Sequence, residues 1–163
     1  MFLLALLSSL LVPDSSKVAL TCGFIGSNFH GSMYNKFLPT VEGALRDALK
    51  QVGAAPWGTK LKDKYEWSGT SRTDGGVSAV RLTLSMILLN VVLDGTTVGT
   101  RCPKLVKHLN AALKAQDYDC VVFDAIVVPS SFDARSSCSF REYKVSNYAT
   151  KLNSFTVLIS HNK

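Results

Sequence analysis

The stretch from residue 80 to residue 88 alternates between apolar and mostly polar side chains with a period of two. One set of alternate positions is entirely apolar, namely Val80, Leu82, Leu84, Met86 and Leu88. The positions between them carry an arginine, a threonine, a serine and one isoleucine. Because successive side chains of a β-strand point to opposite faces, this alternation predicts a strand with one apolar face.

Two other segments have apolar residues at helical spacing. Thr40 is a favourable N-cap, and the helix after it is predicted to run to Val52, where Gly53 provides a stop signal. A second helix is predicted from Pro103 to Leu113. The apolar stripes consist of Val41, Ala44, Leu45, Ala48, Leu49 and Val52 in the first helix and of Leu105, Val106, Leu109 and Leu113 in the second.

Four further segments are predicted to be strands, at residues 17–24, 65–70, 120–128 and 140–148. The order of elements up to residue 128 is therefore βαββαβ. This is the ferredoxin-like arrangement of α+β proteins, which RNA-recognition modules also use. Such a fold packs two helices on one face of an antiparallel sheet and leaves the other face free for a ligand.

A Gly-rich loop joins the second and third predicted strands, with the sequence Ser71-Arg72-Thr73-Asp74-Gly75-Gly76-Val77. A loop held between two strands is a good place to present one carboxylate to a substrate. The glycine pair widens the choice of backbone conformations and lets a ligand come close. Asp-Gly between strands is equally typical of a hairpin turn, so the loop alone leaves both interpretations open.

This loop resembles the catalytic loop of tRNA pseudouridine synthases of the TruA type, where an Arg-Thr-Asp-x-Gly-Val run carries the essential aspartate. Three more blocks resemble that family in the same order along the chain. They are Gly26-Ser27-Asn28-Phe29-His30-Gly31, Thr40-Val41-Glu42-Gly43-Ala44-Leu45, and Phe132-Asp133-Ala134-Arg135 with the following Arg141-Glu142-Tyr143. The resemblance extends over residues 18–148 and covers the first half of the family's sequence.

The match to the family is incomplete at several positions. Ile25 stands where the family usually has aspartate, and Ser32 and Met33 replace its usual aromatic-glutamine pair. Ser78 stands where the family usually has histidine, and Val145 where it often has a second aromatic residue.

The resemblance implies that Asp74 is the catalytic residue, acting as a nucleophile or as a base. A neighbouring arginine favours the ionised form of a carboxylate, and Arg72, two residues before Asp74, can supply that charge. The resemblance implies that Arg72 also helps to hold RNA with the target uridine flipped out. Tyr143 would stack against the flipped base, with an ordinary core tyrosine as the alternative. Arg135 would bind phosphate or anchor a loop. We expect Asp74, Arg72 and Tyr143 to line one groove.

The chemistry implied by the resemblance requires no cofactor and no metal. Pseudouridine formation breaks the bond between the uracil nitrogen and the ribose, turns the base and rejoins it through carbon, without a redox change. A net charge of +6 suits a polyanionic partner such as tRNA, although many small basic domains bind no nucleic acid.

The cysteines Cys22, Cys102, Cys120 and Cys138 are scattered, without the spacing of a zinc site. Free thiols are the default interpretation, and disulfides are expected only in a secreted protein. We therefore expect an intracellular protein, in the nucleus, the cytoplasm or an organelle.

The chain divides into three parts at this level. Residues 1–16 are expected to be an apolar leader or a mis-assigned start, since the apolar run is too short to span a bilayer. Residues 17–150 would be the first half of a catalytic domain, and residues 151–163 a truncated tail. No membrane association is expected, whereas a homodimer through the sheet or the missing second half is an open expectation.

Three hypotheses follow from these observations. The first is a tRNA pseudouridine synthase, an isomerase, or one half of such an enzyme, which we expect to bind tRNA weakly and turn over little in this form. The second is a catalytically inactive RNA-binding fragment of the same fold, and the third is a structural or interaction domain. The joint presence of Arg72, Asp74 and Tyr143 favours the first over the second.

Overall fold

A computed structural model of the chain describes residues 14–54, 66–146 and 154–160. Most of the predicted leader, the beginning of the strand predicted at 65–70 and the end of the strand predicted at 140–148 lie outside these residues. The last strand and the two residues before the second gap are described by their backbone alone.

The predicted ferredoxin-like fold is confirmed, with a four-stranded antiparallel sheet in the order β2-β3-β1-β4. The helices occupy the two expected places in the chain order. The elements are β1 (Ser15–Phe24), α1 (Val41–Gln51), β2 (Ser68–Gly69), β3 (Ala79–Leu89), α2 (Pro103–Ala115) and β4 (Cys120–Val127).

Local signals account for the helix boundaries. The Thr40 side chain accepts a hydrogen bond from the Gly43 amide at 3.2 Å, which confirms the predicted N-cap. Gly53 follows α1 with a positive φ of 72°, a conformation that glycine adopts without strain. Pro103 opens α2, where its missing amide proton is not needed.

Both helices pack on the same face of the sheet and on each other. The alternation in β3 was correctly interpreted for its central part, since Leu82, Leu84, Met86 and Leu88 are all buried. Val80, the first apolar residue of the run, is instead 91% exposed. An irregularity in the pairing of β1 with β3 lies at this point, because Cys22 pairs with Leu82 while Phe24 pairs with Ala79.

Among the described residues, β2 is much shorter than the strand predicted at 65–70. Glu66 has a positive φ of 44°, which is incompatible with an extended strand. Its carboxylate accepts a hydrogen bond from Lys17 Nζ at 2.6 Å across the sheet. Beyond β2, the Thr70 amide still donates to the Thr83 carbonyl at 2.9 Å before the chain leaves the sheet.

A second, two-stranded antiparallel sheet follows the first. It consists of β5 (Phe140–Ser146) and β6 (Ser154–Ser160), so the strand predicted at 140–148 ends at residue 146 in the described part of the chain. The four cysteines have free thiols, and only that of Cys138 is not buried. None of the described helices has the length and apolar character needed to cross a membrane.

Leu109 tests whether the helix layer supplies the stability of the fold. It lies fully buried in α2, so we expect Leu109→Ala to lower the free energy of unfolding by about 3 kcal/mol through lost contacts and a cavity. Val91→Ala is the matched control, because Val91 is 83% exposed and should change stability by less than about 0.5 kcal/mol. Urea denaturation followed by circular dichroism measures both, and equal effects would contradict this packing.

Candidate functional site

Residues 71–77, here called the Asp74 loop, are attached by hydrogen bonds to residues 26–33, here called the early loop. Ser32 holds Thr73 at two points, since its amide donates to the Thr73 carbonyl at 3.0 Å and its hydroxyl accepts from the Thr73 amide at 2.8 Å. The Gly76 amide donates to the Phe29 carbonyl at 3.1 Å. The Asp74 loop is therefore fixed on a second loop rather than suspended between two strands.

The Asp74 loop also contains a tight turn, so the alternative interpretation as a hairpin turn is correct for residues 74–77. The Val77 amide donates to the Asp74 carbonyl at 3.3 Å, which closes a four-residue turn over the glycine pair. The whole connection is longer than a two-residue hairpin, because it runs from Thr70 to Ser78. Just after the turn, the Ser78 hydroxyl accepts a hydrogen bond from the Gly26 amide at 2.9 Å.

Two glycines of the early loop allow this close approach. A Cβ atom added to Gly26 would lie 2.2 Å from the Val77 carbonyl oxygen, and one added to Gly31 would lie 2.8 Å from the Thr73 oxygen. Gly31 also has a positive φ of 97°. Side chains at these positions would displace the backbone of the Asp74 loop.

The early loop is in turn fixed to the beginning of α1. The Glu42 amide donates to the Ser32 carbonyl at 3.1 Å. The Glu42 carboxylate is buried, and it accepts hydrogen bonds from the Tyr34 amide at 3.0 Å and from Arg46 at 2.5 Å. The first three resembling blocks of the sequence thus form one connected structure.

The fourth block crosses the face of the sheet opposite the helices. The Ala134 amide donates to the buried Ser85 hydroxyl at 3.1 Å, and the Arg135 amide donates to the Ser68 hydroxyl at 3.3 Å. This face of the sheet was expected to be free for a ligand. Residues 132–135 cover part of it, so only the remainder of the face is free among the described residues.

Hydrogen bonds also fix the carboxylate of Asp133 in this block. The Ser68 hydroxyl donates to it and lowers the pKa of Asp133, with a further contribution from the Ser136 amide at 2.7 Å. The ionised form of Asp133 is thus the one that this turn stabilises.

β5 brings two more side chains to the Asp74 loop. Arg141 Nε donates to the Thr70 carbonyl at 2.7 Å. The hydroxyl groups of Tyr143 and Ser71 share a hydrogen bond of 3.1 Å. Tyr143 is 38% exposed, so its ring is not the core tyrosine of the alternative interpretation.

An open groove of about 850 Å³ lies between these segments. It brings together three of the four predicted site residues, namely Arg72, Arg135 and Tyr143. Asp74 is not among the lining residues, so the expectation that it lines the groove is not met in this conformation. Its side chain is exposed, two residues beyond Arg72, and makes no hydrogen bond or ion pair within the described part of the chain.

The groove presents positive charge to a ligand. Arg72 and Arg135 are exposed, and neither forms an ion pair within residues 14–54, 66–146 and 154–160. The two carboxylates in the lining, those of Glu42 and Asp133, are already engaged by donors from the protein. In the same described ranges, no group of three or more histidine, cysteine or acidic residues could hold a metal ion.

Ser32 and Ser68 were not identified as site residues from the sequence, whereas Arg141 was considered there only as a phosphate contact. Ser32 stands at a departure from the family pattern, and Ser68 is one of several serines in polar segments. Arg141 belongs to a recognised block, which is the only signal that could have identified it. Their roles depend on distances between segments far apart in the chain.

No protein-family model matches the chain. A curated relative named tRNA pseudouridine synthase A, from Methanocella arvoryzae, is 34% identical over 133 residues, which are 82% of this chain and 43% of the relative. A tRNA pseudouridine(38/39) synthase of Saccharomyces cerevisiae is 32% identical over 136 residues, 78% of this chain and 29% of the relative.

A tRNA pseudouridine synthase A of Brachyspira hyodysenteriae is 30% identical over 132 residues, 78% of this chain and 44% of the relative. The chain therefore spans less than half the length of these curated relatives.

Gly26 tests the docking of the two loops. We expect Gly26→Ala to displace the Asp74 loop, because the added methyl group would overlap the Val77 carbonyl. Overpacking of this kind costs about 1–3 kcal/mol of stability. Hydrogen exchange measured by NMR should show faster exchange at the amides of Thr73 and Gly76.

Gly75→Ala is the matched control within the Asp74 loop. A Cβ at Gly75 would lie 3.6 Å from its nearest neighbour, His30 Cα, which is an ordinary contact. This variant should keep the protection of the same amides. Equal loss of protection in both variants would contradict the conclusion that the Asp74 loop packs closely because residue 26 has no side chain.

Proposed function

This chain belongs to the TruA family of tRNA pseudouridine synthases, and from that premise we propose that it isomerises uridine to pseudouridine in tRNA. Residues 17–150 would form part of the catalytic domain of such an isomerase. One observation carries the proposal: Arg72, Arg135 and Tyr143, from two blocks far apart in the sequence, meet at one groove beside the loop that bears Asp74.

Asp74 is proposed as the catalytic carboxylate. The reaction needs a carboxylate near the ribose or the base, to act as a nucleophile or as a base while the glycosidic bond breaks. The Asp74 side chain is exposed and unpaired within the described residues, so a substrate could approach it directly. A uridine lying in the groove would reach Asp74 by passing Arg72, two residues earlier in the same loop.

Tyr143 is proposed to stack on the flipped uracil. Its hydroxyl is tied to Ser71, which restrains the ring beside the Asp74 loop and leaves part of it accessible. Stacking on an aromatic face is favourable for any base, so this ring could hold a flipped-out uracil beside the Asp74 loop.

Arg72 and Arg135 are proposed to bind the phosphates that flank the target uridine. Both side chains are exposed at the groove, and their positive charge suits a polyanionic ligand. The isomerisation involves no oxidation or reduction, so the proposal requires no cofactor. A homodimer stays a prediction.

Asp74→Asn tests the proposed catalytic role. The amide keeps the shape of the side chain and removes its charge, so we expect tritium release from tRNA labelled at uridine C5 to fall below detection. The dissociation constant for tRNA should change less than about twofold, because Asp74 has no proposed contact with phosphate. The assay is run on the 163-residue chain and on a chimaera in which this chain replaces the matching segment of the archaeal relative.

Asp117→Asn is the matched control for charge removal. Asp117 is exposed in the turn after α2 and has a positive φ of 57°, which asparagine also adopts readily. Tritium release by Asp74→Asn at the wild-type rate would contradict the assignment. Tight tRNA binding without release from either wild-type form would instead support an RNA-binding fragment without catalysis.

Arg72→Ala and Arg135→Ala test the phosphate contacts. Each should weaken tRNA binding and reduce the slope of log K against log salt by about one, because each removes one phosphate contact. Filter binding between about 50 and 200 mM salt measures the slope. Lys114→Ala, on the last turn of α2, is the control and should leave the slope unchanged; equal effects of all three variants would contradict a specific groove.

A further inference from the structure

Residues 33–38, here called the 33–38 loop, expose an unusual concentration of apolar side chains. Phe37 is 86% exposed, and Met33, Tyr34 and Leu38 are each close to half exposed. Single exposed apolar residues are normal on a protein surface, whereas four within one short loop form a patch. Nothing in the proposed catalytic roles uses Phe37.

The conformation of this loop is fixed by the protein. The Tyr34 amide donates to the buried Glu42 carboxylate, and the Arg46 guanidinium lies over the Tyr34 ring, 4.6 Å from its centroid. The Phe37 amide donates to the Asn35 side chain at 2.8 Å, which closes a tight local turn. A side chain presented by a fixed loop loses less conformational entropy when it binds a ligand.

A positive charge accompanies the exposed ring. Lys36 Nζ lies 5.6 Å from the centroid of Phe37, at the outer range of a cation–π contact. Asp47, the nearby acidic residue of α1, is paired with Lys50 at 3.2 Å. Lys36 itself forms no ion pair within the described part of the chain.

We propose that the 33–38 loop is a second RNA contact, in which Phe37 stacks on an unpaired base and Lys36 binds an adjacent phosphate. Aromatic faces interleaved with cations are the combination that binds single-stranded nucleic acid. Met33, the first residue of the loop, also lines the groove that contains Arg72 and Arg135. One strand could therefore continue from the groove onto the loop.

The charge at Lys36 favours RNA over an apolar protein surface as the occupant. A protein partner that covered Phe37 would also remove water from the Lys36 ammonium group, which is costly without a counter-charge. A phosphate next to a stacked base supplies that charge. The inference rests on the proposed function, because it extends the RNA-binding groove of the same site.

The experiment measures binding of a labelled oligouridylate of about 12 nucleotides and of a fully paired RNA duplex by fluorescence anisotropy. We expect Phe37→Ala and Phe37→Leu each to weaken oligouridylate binding about tenfold, because both remove the aromatic face. Phe37→Trp should retain wild-type affinity. The duplex offers no unpaired base, so its weaker binding should be the same for all three variants.

Val91→Ala is the control, since Val91 is also highly exposed but lies after β3, outside the groove lining. Lys36→Gln should reduce the salt slope of oligouridylate binding by about 0.7, the contribution of one phosphate contact on a single strand. Thermal unfolding checks that the variants fold, as expected for side chains on the surface. A second readout is tryptophan fluorescence, which the oligouridylate should quench more in Phe37→Trp than in the wild-type chain with its own two tryptophans.

Wild-type affinity of Phe37→Leu would overturn the inference, since an apolar side chain without a ring would then suffice. Unchanged binding by Phe37→Ala would overturn it as well. Either result, together with loss of tritium release in Asp74→Asn, leaves the proposed function intact. A wild-type chain that binds neither oligouridylate nor tRNA would overturn both.

Discussion

The contact between the early loop and the Asp74 loop is the constraint on which the site depends. Both loops are largely irregular, so neither contains the regular main-chain hydrogen bonds of an α-helix or of a strand pair. They hold each other through hydrogen bonds between Ser32 and Thr73, one of which uses the Ser32 hydroxyl, and through the main-chain bond from Gly76 to Phe29. The close approach requires glycine at two positions, because a Cβ at Gly26 would lie 2.2 Å from the Val77 carbonyl oxygen and a Cβ at Gly31 would lie 2.8 Å from the Thr73 oxygen.

From that contact, the rest of the site follows in a chain of neighbours. Glu42, at the beginning of α1, fixes the early loop from one side. Ser71, at the beginning of the Asp74 loop, bonds to Tyr143 of β5 on the other. The helix layer, the two loops and the second sheet are thereby linked through residues 31–42 and 70–77, and a shift in one would alter the groove between them.

Much of the fold could be predicted from the sequence, because its long elements have clear periodicity. The helix that Thr40 begins and the buried part of β3 are examples in which local preference and tertiary packing agree. The prediction of a strand at 65–70 was wrong at Glu66, which has a positive φ and pairs with Lys17 of β1. The prediction that Val80 lies on the apolar face was wrong, because the pairing of β1 with β3 is irregular there. No local sequence pattern indicates this irregularity.

The motifs predicted which residues belong to the site, but not where each of them lies in space. The blocks with Arg72, Arg135 and Tyr143 were identified in sequence and lie together in space, whereas the position of Asp74 beyond the groove lining depends on a turn that the motif does not define.

The charge of the groove depends on which of its ionised groups already have partners. Glu42 is bound by Arg46 and by a main-chain amide, while Asp133 is bound by donors from Ser68 and Ser136. Arg46 balances the negative charge of Glu42, whereas the donors to Asp133 are neutral and stabilise its charge without cancelling it. The lining still carries net positive charge, because it also contains Arg72, Arg135 and Arg141. Since the pKa of Asp133 is lowered by its donors, the stabilisation from this turn is present above the ordinary carboxyl pKa. It is lost as the pH falls through the lowered value, because protonation removes the acceptor. The electrostatic character of the groove and the fold of the segment that carries Arg135 thus depend on the same buried and half-buried hydrogen bonds.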